Sequence, residues 1–423
     1  MKTNAWAGLR RAISPRAATG LAVLSVLCAA CGPTSTGAAS KSPVTFGALI
    51  PLTGGASNFG QGYEMAAVSA SDYVNAHGGV MGRRLSLVVA DDQTDPVDAV
   101  AALRRLELQS PAFVVGPPAP TIPATVNLFG PAHIVDFPIG GITTLDNNTR
   151  QYVWRSGFSD NTLSAAMAAY ALHQGYTHCG LLFESVVGSL SEVPPLLAAY
   201  SAHGGHITKE VTIAADQNTY APELESLFQS HPDCVFWSAG ATTSGTLFAN
   251  IKQLGFATVP LVGDDYGATP AIGQEIGYSF ALRWVRGIVS AAPSGPAYST
   301  YLKAWQQAYP GSLPRDLGNN VWDSVIIASL AMTYAHSTNP TVWVHDIMKV
   351  TNPPGTVCYT YPTCVALLKA GKKINYDGAS GPDNYNRNHN LFGAWSVARF
   401  STSGVLQTVY TVSAAKIAAY AKK

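Results

Sequence analysis

The spacing of apolar residues changes twice within residues 44–100, and that change restricts the folds open to the chain. Residues 44–50 are a short apolar run rich in strand formers, stopped by Pro51, Gly54 and Gly55. From Gly60 onward Ala66, Ala67, Ala70 and Val74 recur at helical spacing, and Gly78-Gly79 ends the pattern. Residues 84–90 read as a second strand. Asp91, Asp92, Asp95 and Pro96 then open a second helix whose apolar side carries Val97, Val100, Ala101 and Leu103. Strands alternating with helices predict parallel sheets covered on both faces. Further strands are expected at 112–116, 133–137, 178–183, 207–213, 233–238 and 259–263. A chain of 423 residues, 47% of them hydrophobic, exceeds the roughly 250–300 residues at which a single core stops growing. The reading is therefore α/β, with more than one core.

The formal charge of +1, from 26 basic and 25 acidic residues, gives no long-range pull toward nucleic acid. Catalytic and cofactor signatures are missing as well. The ten histidines are dispersed without zinc spacing, no G-x-S-x-G elbow occurs, and Met65 stands where a dinucleotide fingerprint after Gly60 and Gly62 needs its third glycine. Asp91, Asp92 and Asp95 fit a strand end and a helix cap better than a calcium site. No enzyme activity, cofactor or metal is expected.

At the N-terminus Lys2, Arg10, Arg11 and Arg16 precede an apolar run, 18–30, too short to span a bilayer as a helix. Residues 1–31 thus read as an export signal. Its end, Ala29-Ala30-Cys31, resembles the lipobox of bacterial lipoproteins, in which the cysteine is acylated, although Cys28 stands where that motif usually has Leu. The expectation is an exported chain anchored through Cys31 to the outer face of the cytoplasmic membrane. Residues 32–43 would be its flexible tether. An ordinary cleaved signal is the alternative.

The ordered set Pro51, Thr53, Gly54, Phe59, Gly60, Asn75, Gly78, Gly79, Gly82, Asp91, Asp92, Asp95 and Pro96 resembles the opening of the branched-chain amino-acid-type solute-binding proteins of ABC transporters. Later stretches, VWDSVIIASLAMTYA and INYDGASGPDNYNRNHN, are similar to elements of the same family. The resemblance runs over most of residues 44–412 and is weakest at 338–372. It implies two doubly wound parallel-sheet lobes joined by a multi-strand hinge, a type I periplasmic binding protein. Residues 44–157 with 289–391 would form one lobe, and 158–288 with 392–423 the other. Closure of such lobes on a small molecule is the expected motion.

In open α/β sheets ligands collect beyond the carboxyl ends of strands, which points to loops 51–62, 117–121, 139–144, 184–189, 240–244 and 264–267. Carried over from the family position by position, Phe59 matches an aromatic that covers the ligand, and Asp265, beside Asp264 and Tyr266, matches an acid that pairs with its ammonium. The carboxylate-holding positions fall at Pro120, next to Thr121, and at Gly141, two before Thr143. Two closing aromatics fall at Val187 and near Thr242. The carboxylate clamp and both aromatics are thus replaced, so an ordinary amino acid fits poorly and a less polar, neutral or amide ligand fits as well. Phe59 as a lobe-surface aromatic and Asp265 as a helix cap are the plainer readings.

Cysteines of an exported protein are expected to pair. Cys358 and Cys364 close a short loop. Cys179 and Cys234 begin the first and third strands of the second lobe, neighbours in doubly wound order, which predicts a bridge between them; free buried thiols are the alternative. The function expected is an extracytoplasmic lipoprotein that delivers a small solute to ABC permease subunits. A sensory module of the same fold, reporting ligand to a membrane partner without transport, is the rival.

Overall fold

The computed structural model describes residues 42–291, 295–314 and 317–421. The export signal, Cys31 and nearly all of the tether lie outside the described residues. Among the described residues no helix is long and apolar enough to cross a membrane.

The first lobe is built on four strands, β1 (Val44–Ile50), β2 (Leu85–Asp91), β3 (Phe113–Pro118) and β4 (Val135–Ile139), all parallel in the order β2-β1-β3-β4. β1 is central and almost wholly buried, as expected of a strand covered on both faces. The turns obey the expected chemistry. Gly54 has a φ of +82° and backs onto the Gln93 carbonyl, a conformation and a proximity that a side chain would not tolerate. Asn75 bonds both the amide and the carbonyl of Leu85, fixing the end of the helix Ser57–Ala76 against β2. Asp95 accepts from Val97 and Asp98 as the N-cap of the helix Pro96–Glu107.

Strand β4 begins two residues later than the sequence predicts. His133, in the left-handed region at φ +51°, terminates the short helix Phe129–Ala132 first. The helix Gly318–Ala335 returns to pack on Ser57–Ala76, and buried apolar residues drawn from both 44–154 and 301–391 gather in one large cluster, with two smaller clusters built from 44–154 alone. A small sheet of β10 (Thr356–Cys358), β11 (Ile374–Gly378) and β12 (Gly381–Pro382) lies in the same part of the chain.

The second lobe has seven strands: β5 (His178–Glu184), β6 (His206–Ile213), β7 (Cys234–Ser238), β8 (Leu261–Gly263), β9 (Val285–Ser290), β13 (Trp395–Phe400) and β14 (Leu406–Val412). Their order is β14-β13-β9-β8-β7-β5-β6. β5 to β9 are parallel, whereas β13 and β14 add an antiparallel edge hairpin. Strand β9 lies beyond the last of the further strands expected from the sequence, 259–263. One core lies on each face of this sheet. Cys179 is paired in register with Cys234 and bridged to it, and Cys358 is bridged to Cys364.

Three passes of the chain lie side by side between the sheets. Arg155 donates its amide to the His389 carbonyl, Trp154 stacks on His389 at 3.7 Å, and Ala291 donates to Ala394.

Candidate functional site

Loops from the carboxyl ends of β1 and β8 meet through Phe59 and Tyr266, and the topological switch points are β1/β3, at the middle of the first sheet, and β5/β7, one strand in from the β6 edge of the second. After β1, the loop 51–56 is held by Asp91. Its carboxylate accepts from the amides of Leu52, Thr53 and Gln93 and from the Thr53 hydroxyl. Burial pushes this carboxyl up, but those hydrogen bonds hold it below its ordinary value. The loop delivers Phe59 in the first turn of its helix, only 8% exposed.

After β8, Asp264 receives the Tyr266 amide at 3.1 Å and the Ser238 hydroxyl at 2.5 Å, starting the 3-10 turn Asp265–Ala268. The helix cap is therefore Asp264, and Asp265 is left half-buried beside it. The same turn carries Tyr266 across to the first lobe. Its ring meets Phe59 edge to face with centroids 5.2 Å apart, and Phe59 stacks in turn on Tyr63 at 6.2 Å.

The remaining candidates are placed as follows. Thr121 is fully buried with its hydroxyl 2.8 Å from Asp92 Oδ2, so it ties two first-lobe loops together. Gly141 donates no side chain and accepts the Asp160 amide at 2.7 Å. A methyl group on it would come within 1.8 Å of Asp160 Oδ1. Thr143 begins a short 3-10 turn and is half-buried. Val187 and Thr242 are exposed in the first turns of the helices Val187–Ala202 and Ala241–Gln253. Val187 is flanked by exposed Val186 and Leu190. The structure thus joins Phe59 to Tyr266 directly.

Sequence reasoning missed a set of buried acids around that contact. Asp160 opens the helix Asp160–His173 and is bonded by Ser191. Burial pushes its carboxyl up to about 7, against the Ser191 hydrogen bond and the Arg155 charge. Asp264 is also pushed up to about 7 by burial, against hydrogen bonds from Ser238, Glu192 and the Tyr266 amide. Glu192 rises well above the carboxylate range through burial and the charges of Asp264, Asp160 and Asp265. The Tyr266 hydroxyl is raised by burial and by Asp265, Asp264, Glu184 and Glu192. A buried acid inside a helical apolar stretch, such as Glu192 before Pro194-Pro195, is the signal that would have found them. Asp91, Asp92 and Asp95 are all engaged in loop and cap hydrogen bonds, and the described residues contain no group of three or more His, Cys, Asp or Glu arranged to hold a metal.

The sequence profile of a periplasmic binding protein family matches residues 43–404. The chain is similar to the chemotactic signal transduction system substrate-binding protein BasB of Halobacterium salinarum, 25% identical over 80% of this chain and 82% of that one. Its fold is similar to the leucine-binding protein LivK of Thermotoga maritima, with a TM-score of 0.74 and 19% identity over 88% of this chain and 99% of that one. It is also similar to a solute-binding protein of an ABC transporter from R. palustris solved with benzoate, with a TM-score of 0.70 and 16% identity over 88% and 96% of the two chains.

Proposed function

Because the chain belongs to the periplasmic binding protein family, we propose that it is the extracytoplasmic solute-binding component of an ABC importer, holding one small molecule between its two lobes. The observation that carries this reading is the Phe59–Tyr266 contact. Two aromatics from loops at the carboxyl ends of different sheets meet where a solute would be enclosed, and apolar walls with a few convergent polar groups are the usual character of such sites.

Lobe boundaries near 157, 289 and 391, acylation at Cys31, and ligand contacts from Thr143, Val187, Thr242 and Asp265 belong to the same proposal. So does delivery to permease subunits. The clustered acids and the absence of enzymatic signatures in the sequence favour binding over catalysis. Thermal-shift screening of the full-length chain against amino acids, amides, aromatic acids and amines tests the reading, since a ligand that binds only the folded state raises apparent stability. A saturable shift that is lost in Tyr266→Ala supports it, and a shift insensitive to both Tyr266→Ala and Phe59→Ala contradicts it.

A sensory role is the second reading, favoured by the similarity to a protein named for chemotactic signal transduction. Co-purification of the chain with permease subunits, as opposed to a transducer, separates the two.

A further inference from the structure

Four carboxyl groups of the second lobe, Glu184, Glu192, Asp264 and Asp265, act on the Tyr266 hydroxyl beside Phe59. Asp160 acts on Glu192 and Asp264, and its Oδ1 backs onto Gly141 of the first lobe. Several of these oxygens are already occupied. Glu184 accepts from the Gly240 amide at 2.6 Å and the Thr243 hydroxyl at 3.0 Å, Asp264 from Ser238 and Tyr266, and Asp160 from Ser191. Glu192 is 4% exposed and shares a hydrogen bond with Asp264, while its Oε2 is buried with no hydrogen-bond donor. An acceptor left unsatisfied in the interior loses its hydration without a replacement.

The cation that acts on this cluster is Arg155, through Asp160. Its Nη1 is bonded to Asp146 at 2.8 Å and its Nη2 to the Ile142 carbonyl at 2.6 Å, which leaves Nε without a partner. An anionic solute would meet one such N–H and several carboxyl groups. A cationic one would meet acceptors and two aromatic rings, whose faces attract positive charge.

Resting on the reading of this cleft as a solute site, we propose that the solute is an organic cation, an amine or amidine with an apolar body and no carboxylate. Its N–H groups would satisfy Glu192 Oε2 within the Asp160–Asp264–Asp265 surround, and its carbon frame would lie against Phe59 and Tyr266. An ammonium brings three donors and no acceptor, which is the complement of this cluster.

Matched probes test the inference on the full-length chain: 2-methylbutylamine against isoleucine, phenethylamine against phenylalanine, and agmatine against arginine. Each pair shares a carbon frame and differs by the carboxylate. The expected result is a saturable rise in melting temperature with at least one amine, bound about tenfold or more tightly than its amino acid. Amino acids binding as well as or better than the amines would overturn the inference and leave the solute-binding reading standing. A flat response to every amine would overturn it too, and silence from every probe in the wider screen would count against both. Glu192→Gln keeps shape and removes charge. It should leave the unliganded melting temperature unchanged or higher while weakening amine binding about tenfold; unaltered amine affinity would remove Glu192 from the site.

Discussion

The rings of Tyr266 and Phe59 meet edge to face with centroids 5.2 Å apart and planes at 90°, although the two residues follow strands of different sheets. Edge-to-face pairs contribute about 0.5–1.5 kcal/mol beyond the area they bury. In this structure that contribution favours the arrangement in which the lobes touch. Tyr266→Ala should shift the population toward separated lobes by about fivefold. Small-angle scattering would register a larger radius of gyration, and solute affinity would fall by a similar factor.

The acid cluster predicts how stability varies with pH. Asp160 and Asp264 are pushed up to about 7 by burial, and Glu192 rises well above its ordinary value for the same reason and through its acidic neighbours. Unfolded, these groups titrate near 4. Groups raised in the folded state contribute stability below their unfolded values and lose it as pH rises through the folded ones. The groups facing them are Asp146, Arg155, Asp265 and Tyr266. The melting temperature of the unliganded protein should therefore fall between pH 5 and pH 8, and Glu192→Gln should flatten that fall. Asp91 runs the other way. Held low by the loop hydrogen bonds despite its partial burial, it loses its contribution only as pH drops below its unfolded value.

Asp136 sits on β4, fully buried, with both carboxylate oxygens lacking a partner and its carboxyl raised well above the ordinary range by burial. It lies on the strand between Val135 and Phe137, which face the first-lobe core. Replacing an unpaired buried acid with an apolar side chain of similar size removes a penalty. Asp136→Leu should stabilise the protein by about 1–2 kcal/mol at pH 8, measured by urea unfolding, and the gain should shrink as pH falls below about 4, where the unfolded carboxyl also becomes neutral.

The Cys179–Cys234 bridge closes a loop with a sequence separation of 55. Restricting the unfolded chain over that length contributes about 4 kcal/mol in the loop-entropy picture. The Cys179→Ala/Cys234→Ala double variant should lose stability of that order in guanidinium unfolding. The Cys358–Cys364 bridge spans only 6, and its removal should cost about half as much.

The alternation of period made both sheets legible, since parallel strands buried on two faces are apolar runs set between helices, and β1 shows that pattern in full. The bridge at Cys179 was legible for a related reason: doubly wound order makes β5 and β7 neighbours whatever their distance in sequence. Boundaries were less so. His133 adopts a left-handed backbone that local composition does not announce, and it moves the start of β4.

Within the candidate site, Phe59 and Tyr266 were reached through the family resemblance, matched position by position, and the structure brings their rings together. The commitment of Thr121 to Asp92 was not legible, because the two are 29 residues apart and joined only by folding. Asp160, Glu192 and Asp264 were harder still. Carboxylates are ordinarily solvated, and only the packing of the helices Asp160–His173 and Val187–Ala202 against the end of β8 turns three dispersed acids into one buried group.

The proposed solute site lies between the Phe59 loop and the Tyr266 turn. Hydrogen–deuterium exchange tests it most directly, comparing the protein alone with the protein saturated by a solute that raises its melting temperature. Simultaneous slowing of exchange in residues 51–62 and 264–269 is the predicted result. Slowing confined to one of these segments, or to regions away from both, would contradict it.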